Sequence, residues 1–224
     1  MDSVASGGPA PVVTIAALYG AGGKVIGPRV AERLGVPFLD RAIPQSVAER
    51  VGLAEQAVAA ADEGPRGTVD RFIANLARVG DATTATGRHV ERVDVEERRL
   101  RAEIETFLAE ASRSGGVVLG RGGAVVLRSV PGALHVYLRA GKDDRIARVM
   151  ELQAVDRRTA ERRVRLNDAA RKEYVRLAYG VDGEDPSLYH VVIEPVAFGI
   201  EACINLIVTA SGLRLDRVAR AAAG

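Results

Sequence analysis

Tryptophan is missing altogether, and four phenylalanines and five tyrosines are all the large aromatics in 224 residues. So thin a supply excludes a base-stacking platform for single-stranded nucleic acid. Cys203 is the only cysteine; an internal disulfide is ruled out, and a reducing compartment fits. His89, His135 and His190 are the only histidines, and they lack metal-ligand spacing or a Ser/His/Asp arrangement. No apolar run approaches the ~20 residues that span a bilayer. The opening MDSVASGGPAP has neither the basic start nor the apolar stretch of an export signal. Residues 1–10 therefore read as a flexible lead-in, and a cytoplasmic location is expected. Net charge is scarce too: 31 Lys and Arg against 29 Asp and Glu leave +2. No overall basic field argues for nucleic acid, while small anionic ligands remain compatible. Lysine is rare, at 24, 142 and 172 only, which singles out the one inside a glycine-rich turn.

What is present is a sizeable apolar fraction, 47% of the chain, enough for one domain over 11–213 with a subregion of its own and a tail over 214–224. Val12–Ala17 is apolar on both faces, the pattern of a central parallel strand covered by helices. It runs into glycines. Val25, Ile26, Val30 and Leu34 then fall at helical spacing, Gly35 supplies a stop, and Val36–Leu39 reads as a short strand. Strand, glycine turn, helix and strand make a βαβ unit. Residues 41–113 read as a helical insertion. Strand patterns return at Val117–Leu119 and Ala133–Leu138, with a short helix between them. Residues 142–178 predict a long charged helical stretch broken near Val155, followed by a last strand at His190–Ile193 and a closing helix marked by Ile200, Ile204 and Ile207.

Three constellations carry candidate chemistry. In YGAGGKVIG, Gly20, Ala21, Gly22, Gly23 and Lys24 supply backbone N–H groups, a helix start and an ammonium group, the parts of a phosphate cradle. The pattern G-x-x-x-x-G-K-[ST] is incomplete: Leu18 stands for its first glycine, and Val25 for the hydroxyl residue that holds magnesium. On this segment alone, a plain glycine turn remains open. Next, VVLGRGG places Arg121 at the carboxyl end of a central strand, where open α/β sheets bind ligands and where a guanidinium suits a phosphate. Third, DRRTAERRVRLNDAARKEYVR aligns Arg158, Arg162 and Arg165 on one helix face and sets Asp168 beside Arg171. Most such charges are a solvated face; one or two of them can close over a polyphosphate. Asp40, at a strand end, is a candidate acceptor-side carboxylate or a helix cap.

Taken in order, YGAGGKVIGPRVAERLGVPFLDRAI, VVLGRGGAVVLRSVPGALHVYLRA and RVRLNDAARKEYVRLAYG…DPSLYHVVIE resemble the cytidylate kinase-like family of P-loop nucleoside monophosphate kinases. The resemblance implies an α/β P-loop NTPase fold: a five-stranded parallel sheet flanked by helices, a helical acceptor-binding insertion, and an arginine-rich lid over about 156–180. It implies ATP as phosphoryl donor and a nucleoside monophosphate such as CMP or dCMP as acceptor, with no nucleic-acid or membrane partner and a homo-oligomer as an option. Gly20, Gly22, Gly23 and Lys24 would hold donor phosphates. Arg121 and Asp40 would border the acceptor; Arg162, Asp168 and Arg171 would belong to the lid; and Asp185, Pro186 and Tyr189 would lie toward the donor base. Lys24, Arg121 and Arg171 would be the catalytic cations. The chain departs from the family at Ala16, Ala17 and Leu18, where relatives carry Ser-Arg-Glu, and at Gly122, where G-R-D has its acid. With Val25, these departures leave no residue assigned to magnesium. They also keep open a nucleotide-binding regulatory protein with the kinase fold and little catalysis.

Overall fold

The computed structural model describes residues 10–40, 113–120 and 122–223. The lead-in, the helical insertion and Arg121 thus lie, but for a residue at the margins, outside the described residues. Within them are five strands, β1 (Val12–Ala17), β2 (Phe38–Asp40), β3 (Gly116–Leu119), β4 (Leu134–Leu138) and β5 (Val191–Ile193). The helices are α1 (Gly23–Leu34), α2 (Gly123–Val126), α3 (Lys142–Gln153), α4 (Arg157–Tyr179), α5 (Pro195–Phe198) and α6 (Ile200–Ala223).

The strands form one sheet in the order β2-β3-β1-β4-β5, every pairing parallel. Its centre is β1, registered from Val12 on Gly116 to Ile15 on Leu119 along one edge, and from Val13 on Leu134 to Ala17 on Leu138 along the other. Because successive side chains point to opposite faces, β1 feeds two cores. Val13 and Ile15 join Val117, Leu119, Val136 and Leu138 against Ile26 and Val30 of α1 and Ile204 and Ile207 of α6. Val12 and Val118 face the other way, toward Leu127 and Tyr174 of α4. Each large aliphatic residue fully buried this way contributes about 1.5–3 kcal/mol, which explains why the strand reads as apolar on both faces.

Local chemistry sets the element ends. The amides of Gly35 and Val36 return to the carbonyls of Glu32 and Ala31 and close α1. The break expected near Val155 falls at Ala154, in a left-handed conformation with φ 50, and Asp156 then caps α4 by accepting from Thr159 N–H at 2.7 Å. The residues set apart as a tail over 214–224 begin inside the closing helix. Helix α6 runs unbroken to Ala223, and Arg214 Nε donates to the Ala133 carbonyl at 2.8 Å while Leu215 lies against Gly132. Those contacts hold the helix to the sheet past the point where apolar periodicity weakens.

Candidate functional site

At the carboxyl end of β1 the chain turns through Leu18–Gly22 into α1. Ala21 N–H donates to the Leu18 carbonyl at 3.0 Å, tightening the turn. Gly22 is the N-cap, at φ 96, and its carbonyl accepts from Val25 and Ile26. A side chain there would be strained by the left-handed backbone, and its Cβ would lie 3.1 Å from the Arg148 guanidinium. No side chain caps α1 and no acid occupies its first turn. The amides of Gly22, Gly23 and Lys24 therefore find no acceptor among the described residues, and the positive end of a twelve-residue helix is left uncompensated. That is the electrostatic requirement of an anion cradle.

Beside the loop a cavity of about 970 Å³ lies above the carboxyl ends of β1, β2 and β3, roofed by α4; Leu18, Tyr19 and Lys24 line it, whereas Gly20, Ala21, Gly22 and Gly23 do not. Lys24, Arg162, Arg163, Arg171 and Lys172 line it, against Asp40, Asp168 and Glu184. Of the three acids Asp168 is already committed: its carboxylate accepts from Tyr19 N–H at 2.8 Å and from Arg145. Lys172 is likewise paired, with Asp182 at 3.2 Å; among the described residues Lys24, Arg162, Arg163 and Arg171 then face Asp40 and Glu184, a balance that favours a polyanion. Tyr137 and Tyr189 form part of the wall as a stacked pair with centroids 5.0 Å apart. Burial, followed by the nearby Glu184, pushes the Tyr137 phenol up to about 12, and burial raises Tyr189 as well. Both stay neutral through the physiological range. Thr14 lines the cavity and its Oγ1 meets His135 Nδ1 at 2.9 Å; His135, which does not line the cavity, stacks on His190 at 4.7 Å.

The structure thus brings Lys24, Asp40, Arg162, Asp168, Arg171 and Tyr189 to one cavity. Arg121 falls outside the described residues, though its neighbours Gly120 and Gly122 line the same space. Asp185 and Pro186 do not line it. The Asp185 carboxylate accepts from Ser187 N–H at 2.8 Å and caps the 3-10 turn Pro186–Leu188. Arg171 is partly engaged, donating to the Ala17 carbonyl at 2.7 Å; burial draws its pKa down, opposed by Asp168. Three residues escaped the sequence reading. Arg145, buried on α3, donates to Ala140, Tyr19 and Asp168; Arg148, one turn on, approaches Gly22; and Tyr19 bridges the loop to α3 and α4. Only the i, i+3 spacing of the two arginines, behind a strand that ends beside β1, hinted at them.

The model of the cytidylate kinase-like family matches residues 12–195. A solved structure of an uncharacterized protein from Eubacterium ventriosum is similar, with TM-score 0.61 at 16% identity over 90% of this chain and 98% of that one, a likeness that speaks to the fold. Shikimate kinase from Acinetobacter baumannii matches at TM-score 0.41 and 17% identity over 89% and 91% of the two chains. A gluconokinase from Sinorhizobium meliloti matches at 0.41 and 14% over 94% of each. Among curated sequences, a uronate isomerase from Corynebacterium glutamicum is 32% identical over 101 residues; the match covers 45% of this chain and only 20% of that relative. Among the described residues no helix is long and apolar enough to cross a membrane.

Proposed function

The chain belongs to the cytidylate kinase-like family, and from that premise we propose that it transfers the γ-phosphoryl group of ATP to a nucleoside monophosphate, with a pyrimidine acceptor such as CMP or dCMP tested first. One observation carries the reading: Lys24, in the first turn of the uncapped helix α1, lines the same cavity as Arg162 and Arg171. Phosphoryl transfer asks the protein mainly for alignment and charge neutralisation. The loop amides and Lys24 hold the donor's β- and γ-phosphates. Arg148 adds a cation at the rim of Gly22. Arg171 stands between donor and acceptor, exchanging the Ala17 carbonyl for phosphate oxygen when substrate enters. Asp40, exposed at the end of β2, borders the acceptor side.

Val25 has no hydroxyl to offer a magnesium ion, and such ions are usually held by one or two carboxylates together with substrate phosphates and water. Magnesium is written here as part of the MgATP substrate, and no step is derived through a resident ion. The test is an ATP-consumption assay over a panel of monophosphates with magnesium varied, alongside thermal shift. A ligand at about a hundred times its Kd adds about 2.7 kcal/mol to folding stability, and Lys24→Ala should abolish the shift given by ATP. A second reading, a nucleotide sensor without efficient turnover, is favoured by the internal bonds that Asp168 and Arg171 already make. ATP-dependent stabilisation with no consumption for any acceptor selects it; absence of both overturns the two readings together.

A further inference from the structure

Tyr19 sits one residue before the glycines, yet each of its interacting groups is directed at α3 or α4. Its amide donates to Asp168 Oδ1 at 2.8 Å. Its carbonyl accepts from Arg145 at 3.1 Å, and the same guanidinium nitrogen bonds Asp168. Its hydroxyl accepts from Gln153 Nε2 at 2.7 Å, and Gln153 accepts in turn from Arg163. Its ring lies 5.7 Å from Arg171 Cζ, within cation–π range. A residue that only turned the chain needs neither the ring nor the hydroxyl. Arg171 has many rotamers to lose, and two contacts hold it: the Tyr19 ring on its face and the Ala17 carbonyl on one nitrogen. The guanidinium is left with further N–H donors at the cavity wall.

We propose that Tyr19 is a positioning residue: it seats the Arg171 guanidinium at the junction of the glycine loop and the cavity, so that the lid helix and the donor loop act as one unit. The catalytic consequence rests on the phosphoryl-transfer reading; the seat itself does not. A guanidinium displaced by an ångström loses alignment with the transferred group, which costs about a hundredfold in rate.

The test uses the full chain with Tyr19→Phe, Tyr19→Leu, Arg171→Ala and the double variant Tyr19→Leu/Arg171→Ala. Tyr19→Leu should lower kcat by about tenfold to a hundredfold with KM for ATP within about threefold, and Tyr19→Phe, which keeps the ring, should hold kcat within about threefold of wild type. In the Arg171→Ala background Tyr19→Leu should cost less than about twofold more, since its effect passes through the arginine. An undiminished loss in that background, or an unchanged kcat in Tyr19→Leu, overturns the proposal. Side-chain NMR gives a readout independent of turnover. The Arg171 guanidinium resonances, assigned by their absence from Arg171→Ala, should move away from their ring-shifted position in Tyr19→Leu and not in Tyr19→Phe; resonances that stay in place in Tyr19→Leu overturn the seat. If wild type consumes no ATP while these resonances respond as described, the enzymatic reading falls and the seat stands.

Discussion

Asp168→Asn tests whether the pair joining the glycine loop to the lid helix is as sheltered as the geometry indicates. The Arg145 and Asp168 side chains are 9% and 18% exposed, too little for solvent to screen the interaction away. The carboxylate also receives the Tyr19 amide at 2.8 Å. Removing one partner of a fully buried pair costs about 3–5 kcal/mol. Here Arg145 keeps two carbonyl acceptors, on Ala140 and Tyr19, and an asparagine oxygen can still receive the Tyr19 N–H, so the expected loss is about 2–3 kcal/mol. For a chain of this size that lowers Tm by about 4–12 °C. Asp143→Asn is the control: its bridge to Arg157 joins side chains 57% and 83% exposed, and such pairs contribute about 0–1 kcal/mol. Urea denaturation should move the midpoint of Asp168→Asn with m unchanged, and the difference between the two variants should persist from low to moderate salt. Equal midpoints for the two variants, within the error of the fit, refute the assignment of Asp168 as the buried tie.

Three further outcomes follow from the same geometry. His135 is buried, and desolvation, reinforced by His190 and Arg214, lowers its pKa from 6.5 to about 4. The native state thus favours the neutral ring, so this contribution to stability is complete above pH 6.5 and is lost as pH falls from 6.5 toward 4; His135→Gln should flatten the acid limb of a Tm-versus-pH profile. Gly22→Ala must hold a side chain at φ 96 beside Arg148, which costs about 1–2 kcal/mol in backbone strain and should also remove the thermal shift given by ATP. Gly122→Asp, which restores the acid of the family's G-R-D, should destabilise: a Cβ there would lie 2.3 Å from Tyr179 Cε2 at a backbone φ of 65. The cost is about 2–4 kcal/mol by chemical denaturation, and Tyr179→Ala in the same chain should recover part of it.

The sheet was legible in the sequence because its causes are local. Val12–Ala17 had to be covered on both faces, Gly35 had to end a helix, and the break in the charged stretch lay within two residues of its expected place. The glycine turn into α1 was legible for the same reason, since Gly20, Gly22, Gly23 and Lys24 are adjacent letters. The ties across the site were not. Tyr19 and Asp168 meet across 149 residues, and in a chain that uses arginine for nearly all its positive charge nothing distinguishes Arg145 from its solvated neighbours. Asp168 and Arg171 were expected in the lid, with Arg171 as the member reaching phosphate; the Asp168 carboxylate accepts from the Tyr19 amide, and Arg171 donates to the Ala17 carbonyl.

Gly122 is a departure from the family pattern that has a steric partner in the structure. From the sequence it was a missing acid. In the structure the Tyr179 ring, at the end of α4, occupies the space in which any side chain at 122 would begin. The charge given up there lies on the same cavity that Lys24, Arg162 and Arg171 line. Losing a carboxylate from that wall deepens the positive potential a polyphosphate would meet.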